Sequence, residues 1–249
     1  MTKVIVLRHG ESEWNHSNKF AGWIDVHLLE KGEREAKLAG HLIKRAGLRP
    51  VAMFTSKLTR TNQTGNLILE ELDELWCDQH KSWRLNERHY GAYQGRDKSE
   101  VHEELGTTKY DYVRRDYNGK PPDVEGVDSS IDERYDGVDH ALPRAESLRM
   151  VVNRFMPYFR ENIVSKYGGL CRQNPHKAIL IVTHGSVVRA LMKSIGNISD
   201  QDISKINIPT GIPIVFEIDE EMNLVGDFTY LDKKAAEQGM EKVANEGKL

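Results

Sequence analysis

Twice in this chain of 249 residues an apolar run ends in His-Gly: at 4–10 (Val-Ile-Val-Leu-Arg-His-Gly) and at 179–185 (Ile-Leu-Ile-Val-Thr-His-Gly). In an open parallel sheet, ligands sit outside the carboxyl ends of the strands, so His9 and His184 face one crevice if the two runs are neighbouring strands. Glycine after each histidine lets backbone approach a ligand closely. A third run, 51–55, leads into Ser56-Lys-Leu-Thr-Arg60, which places Ser56 as a helix N-cap and Arg60 in the first helical turn at the same edge. Arg8 directly precedes His9.

Two imidazoles and two guanidiniums around one point, without metal ligands among them, suit a phosphoryl group. Arginine pairs with its oxygens in bidentate fashion, each charge-assisted bond contributing about 1.5–3 kcal/mol. A histidine nitrogen attacks phosphorus only when unprotonated, as most are near neutrality at an ordinary pKa of ~6.5. Its other nitrogen then needs an acceptor for its proton, most simply a backbone carbonyl around Gly10. Onward transfer needs a group that protonates the leaving oxygen, and Glu87, within the run 83–91, is the candidate.

Blander readings compete with each of these. A lone histidine at a strand end is more often structural, and Arg84, Glu87 and Arg88 could be a solvated ion-pair patch. The pairing of two strand-terminal histidines is what favours chemistry. Residues 102–106 (His-Glu-Glu-Leu-Gly) lack the second histidine of a zinc-protease helix, and 91–98 imitate a phosphate loop with the wrong glycine spacing. Cys77 and Cys171 lie far apart with no nearby ligand partners, so neither a zinc site nor a disulfide framework is expected. With 35 Lys+Arg against 38 Asp+Glu the net charge is -3, which leaves no basic excess for nucleic acid and makes any anion site local. The first residues reach charge at Lys3 and Arg8, too soon for a signal peptide, and no apolar run nears the ~20 residues of a membrane span, so a cytoplasmic protein is expected.

The elements that must position these groups follow from periodicity. Strands are expected at 3–7, 51–55, 178–183 and 214–218, and helices at 31–45, 57–72, 146–167 (interrupted by Pro157) and 187–194. Their alternation predicts one α/β domain over 1–249, a mostly parallel central sheet with helices on both faces. A long irregular insertion is expected within about 86–144, its proline- and glycine-rich part being 117–144, and a weakly helical, mobile tail at about 233–249.

The same segments carry a family likeness. Residues 7–15 (Leu-Arg-His-Gly-Glu-Ser-Glu-Trp-Asn) resemble the Arg-His-Gly signature of the histidine phosphatase superfamily, and their extension is similar to the cofactor-dependent phosphoglycerate mutases. The likeness continues through 22–25, 55–60, 83–91, 112–115, 146–148, 183–185, 207–213 and the tail at 243–248, nearly the whole chain. It implies a phosphoglycerate mutase-like fold and interconversion of 2-phosphoglycerate and 3-phosphoglycerate in glycolysis and gluconeogenesis. It also implies a phosphohistidine primed by 2,3-bisphosphoglycerate, and no metal.

By the same likeness His9 is the nucleophile, Arg8, Arg60 and His184 hold the transferring group, and Glu87 gives and takes the proton. Ser12, Asn15, Ala21, Gly22, Tyr90, Lys98, Arg114, Arg115, Gly185 and Ser186 then line the substrate pocket, the basic ones facing the carboxylate and the second phosphate. Related bisphosphoglycerate synthases carry glycine in place of Ser12, which favours the mutase. Ala21 and Ser186 depart from the family's usual threonine and asparagine, which bears on substrate affinity rather than on the chemistry. The tail is expected to fold over the loaded site and exclude water. Rival readings are a phosphatase on the same fold and a non-catalytic binder of anionic metabolites. Relatives range from monomer to tetramer, so a homodimer or a homotetramer stays open.

Overall fold

The computed structural model describes residues 1–126, 128, 131–138 and 141–247. Lys248 and Leu249 of the expected tail, with Val127, Ser129, Ser130, Asp139 and His140 of the insertion, lie outside the described residues. In chain order the elements are β1 (Thr2–Arg8), α1 (Glu13–His16), α2 (Glu30–Arg45), β2 (Arg49–Thr55), α3 (Thr59–Glu71), β3 (Gln79–Lys81), α4 (Lys98–Leu105) and α5 (Thr107–Arg115). They continue with α6 (Leu148–Tyr158), α7 (Ser165–Arg172), β4 (Lys177–Thr183), α8 (Gly185–Ile195), α9 (Asp200–Ile203), β5 (Ile214–Ile218), β6 (Leu224–Tyr230) and α10 (Lys233–Asn245).

Side chains alternate across a strand, and β1 uses both faces. Val4 and Val6 pack with Phe155, Phe159 and Leu191 of the α6–α8 layer, while Ile5 and Leu7 pack with Ala39, Ile43, Ile68 and Leu69 of α2 and α3. Burial on both faces explains why the strand reads as an unbroken apolar run rather than an alternating one. The sheet order is β3-β2-β4-β1-β5-β6. β1 pairs with β4 in parallel, Arg8 opposite Thr183, so the two His-Gly ends emerge side by side as expected. β2 and β3 continue the parallel part, and β5 and β6 run antiparallel on the other side.

Sequence periodicity missed β3 and β6, the two edge strands. β3 is three polar residues, and β6 is largely exposed and carries Gly226 and Asp227, so neither has the apolar signature of a buried strand. The long helix expected across 146–167 begins at Leu148, where Ser147 Oγ accepts from the Met150 N–H. Pro157 has no N–H to donate, and just beyond it Phe159–Val164 widen into a π-helical turn before α7 resumes.

The irregular insertion is narrower than its expected 86–144 span: 98–115 are α4 and α5, hinged at Gly106, whose φ is 70. Phe20, Tyr93, Val101, Tyr110 and Val113 form a small core beneath them. A second aromatic cluster of Trp23, Trp83 and Tyr135 anchors the irregular part. Residues 233–245 of the expected tail form a full helix, α10, whose N-cap Asp232 accepts from the Ala235 N–H. Among the described residues no helix is long and apolar enough to cross a membrane.

Candidate active site

Strand pairing puts the two imidazoles together: the His9 and His184 rings lie 5.1 Å apart, edge to face. The His9 N–H donates to the Thr183 carbonyl at 2.9 Å, which fixes one His-Gly turn against the other. His9 Nδ1 lies 2.7 Å from the Gly10 carbonyl, which accepts only, so Nδ1 carries the proton and Nε2 holds the free lone pair. Arg60 Nε donates to that Nε2 at 3.2 Å, consistent with the same tautomer. Burial, then the charges of Arg60 and Arg8, hold the His9 pKa well below its ordinary value, so the ring is a neutral nucleophile. His184 is depressed for the same first two causes, burial and Arg60.

Close backbone approach makes the turn possible. A Cβ on Gly10 would sit 2.2 Å from the Gly32 carbonyl oxygen, and one on Gly32 would sit 2.2 Å from that of Glu11. Neither position has room for a side chain, so α2 packs directly on the turn that carries His9.

Ser56 does not act as a helix N-cap; Leu58 occupies that position. Its hydroxyl is 2.9 Å from His184 Nε2 and 2.7 Å from Thr61 Oγ1, so it orients the second imidazole instead. His184 Nδ1 and Arg8 Nε are buried polar atoms with no protein partner. Arg60 is in the first turn of α3 as expected, but its fork is not free for bidentate pairing. Nη1 donates to the Ile24 carbonyl at 3.1 Å and Nη2 to that of Gly22 at 2.8 Å, which ties the 22–24 loop to the site. Burial lowers its pKa to about 10.

Glu87 lines the same cleft as His9. Its Oε1 accepts from the Arg88 N–H at 2.7 Å and from the Ser186 N–H at 3.2 Å. Oε2 lies toward Gly185 and Arg8 and is the oxygen left to exchange a proton. Its peptide is clamped as well: the Glu87 carbonyl accepts from Trp23 Nε1 at 2.7 Å and from Arg154 Nη2 at 3.0 Å. Arg154, on α6, also donates to the Arg84 and Asn86 carbonyls and pairs with Glu146, which in turn accepts from the His89 N–H. Glu87 is therefore a positioned group and not part of a solvated patch.

Apart from His184, buried behind His9, every residue expected at the site lines a single cleft of about 700 Å³, open mouth included. Ser12 and Asn15 bond to each other there, the Ser12 hydroxyl donating to Asn15 Oδ1 at 2.9 Å. Lys98 and Arg114 come from α4 and α5. Lys19, Phe20, Arg189, Ile208, Val243 and Glu246 also line the cleft and were not among the expected site residues. Arg189 had a signal, since it lies three residues beyond Ser186 and so on the same face of α8. Val243 and Glu246 had a weaker one: the tail was expected to fold over the site, but which of its residues enter the cleft is a long-range contact. Basic side chains outnumber the two carboxylates, Glu87 and Glu246, in this cleft although the chain is net acidic. Among the described residues no group of three or more His, Cys, Asp or Glu could hold a metal ion.

Residues 4–227 match the model of the histidine phosphatase superfamily (branch 1). The chain is 47% identical to the 2,3-bisphosphoglycerate-dependent phosphoglycerate mutase of Corynebacterium kroppenstedtii, over 98% of each chain. It is 44% identical to phosphoglycerate mutase 1 of Saccharomyces cerevisiae, over 100% of each. Among solved structures it superimposes on a mycobacterial glucosyl-3-phosphoglycerate phosphatase with a TM-score of 0.70 at 18% identity, covering 92% of this chain and 98% of that one. YhfR of Bacillus stearothermophilus gives 0.69 at 22% identity, covering 93% and 100%. At those identities the structural likeness establishes the fold alone.

Proposed function

We infer the reaction from one premise: this chain belongs to the histidine phosphatase superfamily, and within it to the 2,3-bisphosphoglycerate-dependent phosphoglycerate mutases. It interconverts 2-phosphoglycerate and 3-phosphoglycerate. The roles of the individual residues are our reading of the geometry. The observation that carries it is the neutral His9, its Nδ1 proton given to Gly10 and its Nε2 aimed beside Arg60 and 5.1 Å from a second imidazole.

A bisphosphorylated primer is supported by two buried polar atoms without protein partners, His184 Nδ1 and Arg8 Nε, and by Lys98, Arg114 and Arg115 in the same cleft. In priming, His9 Nε2 forms a bond to phosphorus as the P–O bond breaks, and Glu87 Oε2 delivers a proton to the departing oxygen. Arg8, Arg60 and His184 stabilise the equatorial oxygens. In the forward transfer Glu87 takes the proton of an attacking hydroxyl while the N–P bond of His9 breaks. Retaking the other phosphoryl group reverses these roles and leaves His9 phosphorylated again. An oxyanion beside His184 also offsets the arginine charges that depress its pKa in the free site.

The phosphatase reading differs only in letting water accept the group. The C-terminal helix, which brings Val243 and Glu246 into the cleft, supports the mutase by limiting water. The departures at Ala21 and Ser186 leave the acid–base group intact, since Ser186 contacts Glu87 through its backbone N–H. A cytoplasmic location follows from the reaction class. Isomerisation and phosphate release measured in one sample test the assignment: isomerisation should dominate, and release exceeding it would favour the phosphatase.

A further inference from the structure

The cations expected to receive the substrate's anionic groups already hold a carboxylate of this chain. Glu246 Oε2 lies 2.7 Å from Lys98 Nζ and 3.3 Å from Arg114 Nη2, and all three side chains are nearly buried. The backbone reinforces the contact: Arg114 Nη1 donates to the Glu246 carbonyl at 2.8 Å and Arg115 Nη2 to that of Val243 at 3.3 Å. His102 Nδ1 donates to the Gly247 carbonyl at 2.7 Å. Gly247, with φ +71, tucks beneath Tyr110 where a Cβ would lie 2.2 Å from the phenol oxygen. Further back on α10, Lys242 pairs with Glu11 at 2.6 Å. The segment is thus docked by several contacts, and only one of them places an anion among the pocket's cations.

We propose that Glu246 is a tethered competitor, an affinity-determining residue whose carboxylate fills the anion subsite of Lys98 and Arg114 until a carboxylate or phosphate of the substrate displaces it. The proposal rests on the assignment of those two cations to substrate binding. Two anions cannot share this pair without strong repulsion in a poorly solvated cleft, so the Glu246 carboxylate and a substrate anion exclude one another there, while the Lys242–Glu11 pair keeps α10 over the cleft. A fraction of molecules in the docked state lowers apparent affinity by that fraction. Burial would raise the Glu246 pKa, but Lys98, Arg8 and Arg114 hold it at about 2, so mild acid does not release the competitor.

Glu246→Gln keeps the backbone contacts and removes the charge. Inorganic sulfate, titrated calorimetrically into the full chain, reports the subsite without requiring turnover. The expected result is sulfate affinity at least about fivefold tighter in Glu246→Gln, at the lower end of ordinary coupling between sites, with KM for 3-phosphoglycerate lowered in parallel. Unchanged or weaker sulfate binding overturns the proposal. Lys98→Met separates the two levels: it should weaken sulfate binding, and if it does not, the assignment of the subsite itself fails. Hydrogen exchange gives an independent readout, because saturating sulfate should speed exchange at 246–247 in the unaltered chain. Exchange that stays slow there would contradict displacement.

Discussion

Replacing Arg154 by methionine removes the clamp beneath Glu87, and with it the guanidinium carbon 5.9 Å from the Trp83 ring centre, while keeping a long apolar side chain. The guanidinium donates to the carbonyls of Arg84 at 2.7 Å, Asn86 at 2.9 Å and Glu87 at 3.0 Å, and to Glu146 at 2.7 and 3.0 Å. Side-chain exposures of 8% for Arg154 and 2% for Glu146 mean that solvent does little to screen the pair. Breaking such a pair from one side strands a buried charge and costs about 3–5 kcal/mol. The Glu87 carbonyl keeps its bond from Trp23, so the Arg84 and Asn86 carbonyls bear most of the remaining loss. Urea unfolding should show the full drop in stability. Adding Glu146→Gln to Arg154→Met should recover part of it, because the stranded charge is gone while the amide oxygen still accepts from His89. Freed to drift by about 1 Å, Glu87 should cost kcat up to about 100-fold while KM changes less. A stability loss below about 1 kcal/mol, or a double variant less stable than Arg154→Met, would show that Arg154 and Glu146 are not a buried pair holding the Glu87 segment.

Three other perturbations reach different parts of the structure. The pKa values of His9 and His184 are lowered by folding, so between those values and ~6.5 the unfolded chain binds more protons. Their stabilisation is complete above pH ~6.5 and is lost as pH falls below it; thermal midpoints should decline in that window, less steeply in His184→Gln, and an equal slope would count against the assignment. Gly32→Ala drives a Cβ to 2.2 Å from the Glu11 carbonyl oxygen and should destabilise by about 1–3 kcal/mol, checked by thermal unfolding; a neutral result would mean that α2 moves freely. Removing 233–249 takes α10 from the cleft and should raise phosphate release relative to isomerisation, and an unchanged ratio would show that the helix does not exclude water.

Much of this architecture was legible in the sequence because its central strands are buried on both faces. The runs ending at Arg8, Thr55 and Thr183 needed only their apolar, β-branched composition to be found, and the His-Gly ends then followed from parallel pairing. β3 and β6 escaped because exposed edge strands lack that composition. At the site, residue type revealed His9, His184 and Glu87, and the turn around Gly10 gave the acceptor that holds His9, but not how His184 and Glu87 are held. Ser56 looked like a cap and instead supports His184, and the Arg60 fork looked free and instead holds a loop. Those differences lie in contacts tens of residues apart, which no local pattern encodes. The same holds for Glu146 and Arg154, whose bonds to the backbone on either side of Glu87, at His89 and Arg84, span 57 and 70 residues of chain.

In the proposed cycle His9 Nε2 carries the phosphoryl group. Incubation with 2,3-bisphosphoglycerate bearing radiolabelled phosphoryl groups, followed by mapping of the labelled peptide, tests it most directly. Acid-labile, base-stable label is expected on His9 and none in His9→Ala, whose turnover should fall at least ~10³-fold, or about 4 kcal/mol of transition-state stabilisation. Label on another residue, no label at all, or retained turnover in His9→Ala would contradict it.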